Sequence, residues 1–283
     1  MTGPSSPQSL STRVRLSQGP EIPVLGLGVF QSPPGPATRQ AVLWALAAGY
    51  RLIDTAAMYG NESDVGAAVR ESGIPREEVF VTTKLWHTDL GYASAKRAYQ
   101  ESMDRLGLGY IDLYLIHWPR ADSPQVRLDT WRALEEIHEG GTCRAIGVSN
   151  YSIRHLEELA KARIPPAVNQ VEFHPFVYDP ELVDYCRAHR IQLEAYSPLT
   201  RNRRIDDPTI AEVARAHGRS PAQVMIRWGL QHGLVEIPKS VHQDRIEENT
   251  RVFDFALTEA EMQRLDGLRD RKRVTQWDPA QIP

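Results

Sequence analysis

Lysine is scarce in this chain, with five residues against 28 arginines. Where only a positive charge is needed the sequence uses arginine, so Lys84 and Lys239 read as positions chosen for an ammonium group. Cysteine is scarcer still. Cys143 and Cys186 stand 43 residues apart, which suits neither a metal-ligand cluster nor a disulfide framework. Free thiols in a reducing cytoplasm, and no metal, are therefore expected, and the sequons at Asn61 and Asn150 become chance matches. No apolar run approaches the ~18 residues that a membrane-spanning helix needs. Basic residues interleaved with aromatics are absent, and the net charge is -3, so a nucleic-acid surface is excluded. Gly26-Leu27-Gly28-Val29-Phe30-Gln31 lacks the third glycine of a dinucleotide fingerprint, which disfavours a Rossmann site. No long linker divides the 283 residues. The polar, Pro/Ser-rich start lacks the basic and apolar regions of a signal peptide. A disordered lead-in over residues 1–12 and one domain over 13–283 are expected.

What the sequence does contain is a repeated alternation of short apolar runs and helical patterns. Val14–Leu16 and Ile22–Val24 flank Ser17-Gln18-Gly19-Pro20, a turn signal that predicts a hairpin. Leu25–Gly28 reads as a first inner strand, followed by a Pro-rich loop and a helix over Ala37–Ala48. Further strands end near Asp54, Lys84, His117, Val148, Gln170, Ala195 and Pro238. Helical patterns cover Asn61–Glu71, Tyr92–Leu106, Thr130–Glu139, Ile153–Ala162, Pro180–Ala188, Pro208–His217 and Pro221–Gln231. Eight strand-helix units in about 250 residues imply a (β/α)8 TIM barrel with an N-terminal β-hairpin cap.

The stretch Arg51-Leu-Ile-Asp54-Thr-Ala-Ala-Met-Tyr59-Gly-Asn-Glu62 carries the chemistry. An Asp at the end of a buried strand is costly unless a cation meets it. The next strand-like run, Val79–Lys84, ends on a lysine, and the run after that, Ile111–His117, ends on a histidine. Taken singly, these could be a structural ion pair, a rim tyrosine and a satisfied core histidine. Together they stand at consecutive strand ends, where α/β folds hold their chemistry.

Asp54, Tyr59, Lys84 and His117 resemble the catalytic tetrad of the aldo-keto reductases, in the compact microbial type that includes 2,5-diketo-D-gluconate and glyoxal reductases. The resemblance spans about residues 13–268. It implies NADPH as cofactor and carbonyl reduction, since relatives that reduce carbon-carbon double bonds carry Glu where His117 stands. It further implies that Ser149, Asn150 and Gln170 bond the nicotinamide carboxamide and that Tyr196 stacks on the ring. Gly28, Val29, Asp54, Ser197, Leu199 and Val241 complete the cofactor wall. Lys239, Ser240 and Arg245 meet the pyrophosphate and 2′-phosphate, and Glu248 and Asn249 the adenine. An arginine fork, a lysine and a helix start suit a dianionic phosphate. His242 departs from the threonine of many relatives, and Val29-Phe30 lacks their tryptophan.

A loop of some ten residues after His117 and a short tail after Leu268 lead us to expect an open pocket lined by Phe30, Trp86, His87, His117 and Trp118. Its substrate is a small carbonyl compound, and the enzyme is expected to be monomeric and cytoplasmic. The proposed chemistry makes Tyr59 the proton donor, with its pKa lowered by Lys84. Two alternatives stand beside it: a Schiff-base aldolase using Lys84 as nucleophile, and a non-catalytic nucleotide-binding relative.

Overall fold

The computed structural model describes residues 9–275 and 277–283. Two short strands, β1 (Arg13–Arg15) and β2 (Glu21–Pro23), pair antiparallel, and Gly19 makes the turn at φ 114°. Leu16 and Ile22 of this hairpin pack against Leu52, Phe80, Leu113, Leu115, Val168 and Val235. These are residues from the start of the barrel strands, so the hairpin plugs the bottom as expected. Gln18 pins the turn there by donating to Pro165 O at 2.7 Å and accepting from Ile146 N at 2.8 Å.

The barrel strands are β3 (Leu27–Gly28), β4 (Leu52–Asp54), β5 (Phe80–Leu85), β6 (Leu113–Ile116), β7 (Ile146–Ser149), β8 (Val168–Glu172), β9 (Gln192–Tyr196) and β10 (Val235–Glu236). Each pairs in parallel with the next. Parallel bridges Leu25 to Glu236 and Gly28 to Lys239 close the ring. A Cβ on Gly28 would lie 2.9 Å from Ile237 O, so this seam requires glycine.

Among the described residues ten helices surround the strands: α1 (Pro36–Ala47), α2 (Glu62–Glu71), α3 (Tyr92–Leu106), α4 (Pro124–Glu139), α5 (Ile153–Glu158), α6 (Pro180–Ala188), α7 (Pro208–His217), α8 (Pro221–Gln231), α9 (Gln243–Asn249) and α10 (Glu259–Asp266). Their apolar faces and the outward-facing strand residues, such as Ile53, Val81, Tyr114 and Leu193, form one continuous buried layer. Helix α4 starts six residues earlier than expected because Ser123 Oγ accepts from Val126 N and Pro124 opens the first turn, both favourable at a helix start. The loop after His117 is correspondingly shorter than the ten residues anticipated. Helix α5 stops at Glu158, short of Ala162. Gly218, left-handed at φ 61°, ends α7, and a Ser220–Gln223 capping box starts α8.

Of the expected disordered lead-in, residues 1–8 lie outside the described residues. Residues 9–12 are placed: Thr12 N bonds Ser9 O, Val24 N bonds Thr12 O, and Leu10 packs on the core. Both sequon asparagines, Asn61 and Asn150, are buried.

Candidate active site

Inward-facing positions at the carboxyl ends of β4, β5 and β6 deliver Asp54, Lys84 and His117 to one rim, because parallel strands point the same way. Lys84 is fully buried. Its Nζ donates to Asp54 Oδ1 at 2.6 Å, Asp54 Oδ2 at 2.8 Å and Thr55 O at 2.8 Å, and it reaches Tyr59 Oη at 3.5 Å. Tyr59 closes a 3-10 turn, Ala57–Tyr59, that Gly60 terminates at φ 70°. Asn61 fixes this loop by accepting from Thr55 Oγ1 at 2.7 Å and donating to Val29 O at 3.1 Å. The Tyr59 ring stands edge-on to His117 at 5.6 Å and tilted to Phe30 at 5.0 Å.

The electrostatics differ in one respect from the sequence expectation. Burial, reinforced by the Asp54 charge, pushes the Tyr59 phenol well above its ordinary value. The Arg201 charge pulls the other way without offsetting burial. Tyr59 is therefore a proton-loaded phenol. Burial, then the Lys84 charge, hold His117 well below the usual histidine value. A neutral imidazole offers one N–H donor and one bare nitrogen, and here Nδ1 is buried without a partner. Burial raises the Asp54 carboxyl, against the pull of Lys84 and Gln170. A Schiff-base nucleophile needs a free amine, whereas Lys84 Nζ donates to Asp54 and Thr55 O.

Beside the tetrad, Asn150 Nδ2 donates to His117 O and to Ser149 Oγ, both at 3.0 Å, and Tyr196 Oη donates to Asn150 Oδ1 at 2.8 Å. Gln170 Nε2 donates to Asp54 Oδ2 at 2.7 Å and to Glu194 Oε2 at 3.0 Å. Both amide protons are used, and the side-chain oxygen of Gln170, which accepts no hydrogen bond among the described residues, is open to a ligand. Glu194 was not anticipated. Burial, then the Asp54 charge, push its carboxyl up to about 8. Such an acid costs no folding free energy below its unfolded pKa of about 4.3 and progressively more as pH rises through its folded value. Glu194→Gln keeps an acceptor for Gln170 and removes the titration. The variant's Tm should match wild type below about pH 4, exceed it by a margin that grows from roughly pH 4.5 to 8, and level off above that. A difference in Tm that stays constant across that range would show that Glu194 carries no such charge cost.

A cavity of about 700 Å³ opens over these groups. Its wall brings together Gly28, Phe30, Asp54, Tyr59, Trp86, His117, Trp118, Asn150, Gln170, Tyr196, Ser197, Leu199, Lys239, Ser240, Val241 and Arg245. Lys84 and Ser149 lie immediately behind it. Val29 turns its side chain into the outer core, and Glu248 and Asn249 sit on α9 beyond the cavity end. The cations Lys239 and Arg245 make no ion pair among the described residues, and both are exposed. The cavity, the Gln170 side-chain oxygen and these cations, without ion-pair partners among the described residues, fit a phosphate-bearing nicotinamide dinucleotide.

The C-terminal tail adds a wall to the pocket that the sequence did not announce. Glu172 at the end of β8 accepts from Val274 N at 2.6 Å, Thr275 N at 3.1 Å and Thr275 Oγ1. Burial alone would raise the Glu172 carboxyl, but bonds from His174, Thr275 and Val274 bring it down to about 2. Held this way, the tail lays Trp277 against Trp118 at 5.2 Å, His87 at 5.5 Å and Trp86 at 6.1 Å. Trp277, Met58 and Arg201 also line the cavity and were missed. A lone tryptophan in a charged tail was the available signal for the first.

A parallel barrel that gathers a buried Asp-Lys pair, a phenol and a neutral imidazole at its carboxyl rim defines an oxidoreductase acting on carbonyl groups. Residues 24–270 match the model of the aldo/keto reductase family, and the chain belongs to that family. It is 49% identical over 269 residues to the glyoxal reductase of Bacillus subtilis (strain 168), covering 95% of this chain and 96% of the relative. It is also 49% identical to the 9,11-endoperoxide prostaglandin H2 reductase of Trypanosoma cruzi (strain CL Brener), covering 92% and 93% of the two chains. Among solved structures, an aldo-keto reductase from a Medee basin deep-sea metagenome library superposes with TM-score 0.90 at 44% identity, over 94% of this chain and 98% of that one.

Proposed function

We propose that this protein is an NADPH-dependent reductase of small aldehydes and ketones in which Tyr59 donates the proton. The observation that carries the reading is the Lys84 ammonium, bound by Asp54 at 2.6 Å and lying 3.5 Å from Tyr59 Oη. The bound nicotinamide would supply a hydride to the carbonyl carbon. As the oxygen gains charge, Tyr59 gives up its proton to it, and Lys84 stabilises the phenolate left behind. His117 donates its one N–H to the same oxygen, so two donors meet the developing charge. Asp54 keeps Lys84 charged and fixed.

The remaining roles are those that the family resemblance implies. Asn150, Ser149 and the Gln170 oxygen hold the carboxamide, Tyr196 stacks on the ring, and Gly28, Val29, Ser197, Leu199 and Val241 form the wall. Lys239, Ser240 and Arg245 take the 2′-phosphate, while Glu248 and Asn249 take the adenine. Phe30, Trp86, His87 and Trp118 enclose the substrate, a small carbonyl compound; the relative named glyoxal reductase supports dicarbonyls. We assign the reaction to a single catalytic domain over 13–283, working as a cytoplasmic monomer.

The test is steady oxidation of NADPH on adding glyoxals, sugar aldehydes and aromatic aldehydes, together with fluorescence titration of both cofactors. Arg245→Ala should weaken NADPH binding by roughly tenfold to a hundredfold, the worth of a charge-assisted bond, and leave NADH nearly untouched. Equal losses for the two cofactors would show that Arg245 does not read the 2′-phosphate. No oxidation with any carbonyl would leave a nucleotide-binding relative without catalysis.

A further inference from the structure

The loop after β9 carries a side chain that the reaction described above does not use. Ser197, Thr200, Arg201 and Asn202 all have positive φ, at 53°, 52°, 51° and 60°. L-residues adopt this left-handed conformation only under strain, and no glycine relieves it here. Thr200, buried, stiffens the turn by donating to Leu199 O at 2.7 Å and accepting from Arg204 N at 3.1 Å. The outcome is that Arg201 turns into the cavity, with its Cζ 5.1 Å from the centre of the Phe30 ring. The same ring lies 5.0 Å from that of Tyr59.

The neighbouring arginines are occupied. Arg203 donates to Val274 O at 3.5 Å, and Arg204 pairs with Asp270 at 2.7 Å while covering the Phe176 ring. Arg201 alone of the three makes no hydrogen bond or ion pair among the described residues, and its Nε is buried without a partner. A guanidinium held partly out of water with open donors carries an unmet desolvation cost. Its planar fork suits a carboxylate or phosphate. Its charge is felt at the reacting end, where it pulls the Tyr59 phenol back down against burial and Asp54.

We propose that Arg201 is an oxyanion-binding residue of this cavity, receiving a carboxylate or phosphate group. Two sources can supply the group in the working enzyme: an acid function on the carbonyl substrate, several bonds from the reacting carbon, or the cofactor's pyrophosphate. The first source rests on the carbonyl-reductase reading and the second on the dinucleotide cofactor of the same reading.

The probes are 4-oxobutanoate and butanal, which share a four-carbon aldehyde and differ in the carboxylate. Arg201→Met keeps an apolar stem over Phe30 and removes the fork; Arg201→Lys keeps the charge alone. If the substrate supplies the group, Arg201→Met lowers kcat/KM for 4-oxobutanoate relative to butanal by roughly tenfold to a hundredfold, with Arg201→Lys intermediate. If the cofactor supplies it, the ratio holds and the Kd for NADPH rises by a similar factor. Calorimetric titration with inorganic pyrophosphate and with 4-hydroxybutanoate reads the same site without turnover, so a protein that reduced neither aldehyde would still decide the matter. A substrate ratio, a Kd for NADPH and both anion affinities all within about twofold of wild type, in a variant of unchanged Tm, would overturn the proposal.

Discussion

Tyr59→Phe should lower kcat by at least two orders of magnitude while leaving the Kd for NADPH within about twofold, because a positioned general acid is worth roughly 10²- to 10⁴-fold. The variant keeps the ring that packs on Phe30 and His117. It removes only the weakest of the Lys84 contacts, the one at 3.5 Å, and leaves those to Asp54 and Thr55 O. Tm should therefore change little, and the lost rate is assignable to the missing proton. His117 still offers one donor to the carbonyl oxygen, so a low residual rate is expected. Single-turnover kinetics with saturating NADPH measure the step directly. Retention of more than about a tenth of wild-type turnover would sink the assignment of Tyr59.

Lys84→Met should be as damaging to kcat as Tyr59→Phe, and the double variant little worse than either, since groups acting on one proton lose their effect together. Additive losses in log rate would give Lys84 a separate role. The lysine change also costs stability. Removing one partner of a buried ion pair costs about 3–5 kcal/mol, because a charge is left without compensation. Asp54 is then an isolated buried carboxyl whose folded pKa rises further. Its penalty is absent below the unfolded value and grows as pH rises, so the Tm deficit of Lys84→Met should shrink toward acid pH. Replacing both members by apolar residues, Asp54→Leu with Lys84→Met, should recover much of the stability and none of the activity. Recovery of turnover would mean that the pair serves only the fold.

The tetrad was legible because each member sits at a place that local pattern marks. Asp54, Lys84 and His117 each end an apolar run, and a charged or polar group there is anomalous unless it has a task. The β-hairpin was legible from Gly19 and Pro20, and helices α3, α6, α7 and α8 from their periodicity and caps. Less visible was the start of α4, where Ser123 and Pro124 supplied a cap outside the periodic stretch. The leftward limits of the barrel strands were also blurred, since buried strands show no alternation against which to set an end.

Other features depended on groups far apart in the chain. Gln170 was readable as a cofactor ligand only by resemblance; the orientation of its amide follows from Asp54, 116 residues away, and from Glu194. The Tyr59 phenol was expected to be lowered by a neighbouring ammonium. Burial of the whole side chain, which the local sequence does not record, outweighs such a pull and holds the phenol high. Trp277 stands in a tail that opens on five charged residues, Arg269 to Arg273, and it reaches the site because Glu172, 102 residues from Val274, accepts that segment's backbone N–H groups.

The sequence by itself determined the barrel, the rim on which the chemistry stands and the identity of the four central side chains. Strand periodicity fixes which residues face inward, and parallel succession brings every carboxyl end to one side. Tertiary structure alone decided which polar groups are spent and which, among the described residues, stay without a partner, namely the Gln170 side-chain oxygen, His117 Nδ1 and the Arg201 fork, and it laid the tail beside the pocket. Those outcomes are settled by competition among buried partners from distant segments, and a local pattern of polar and apolar residues carries no record of who wins it.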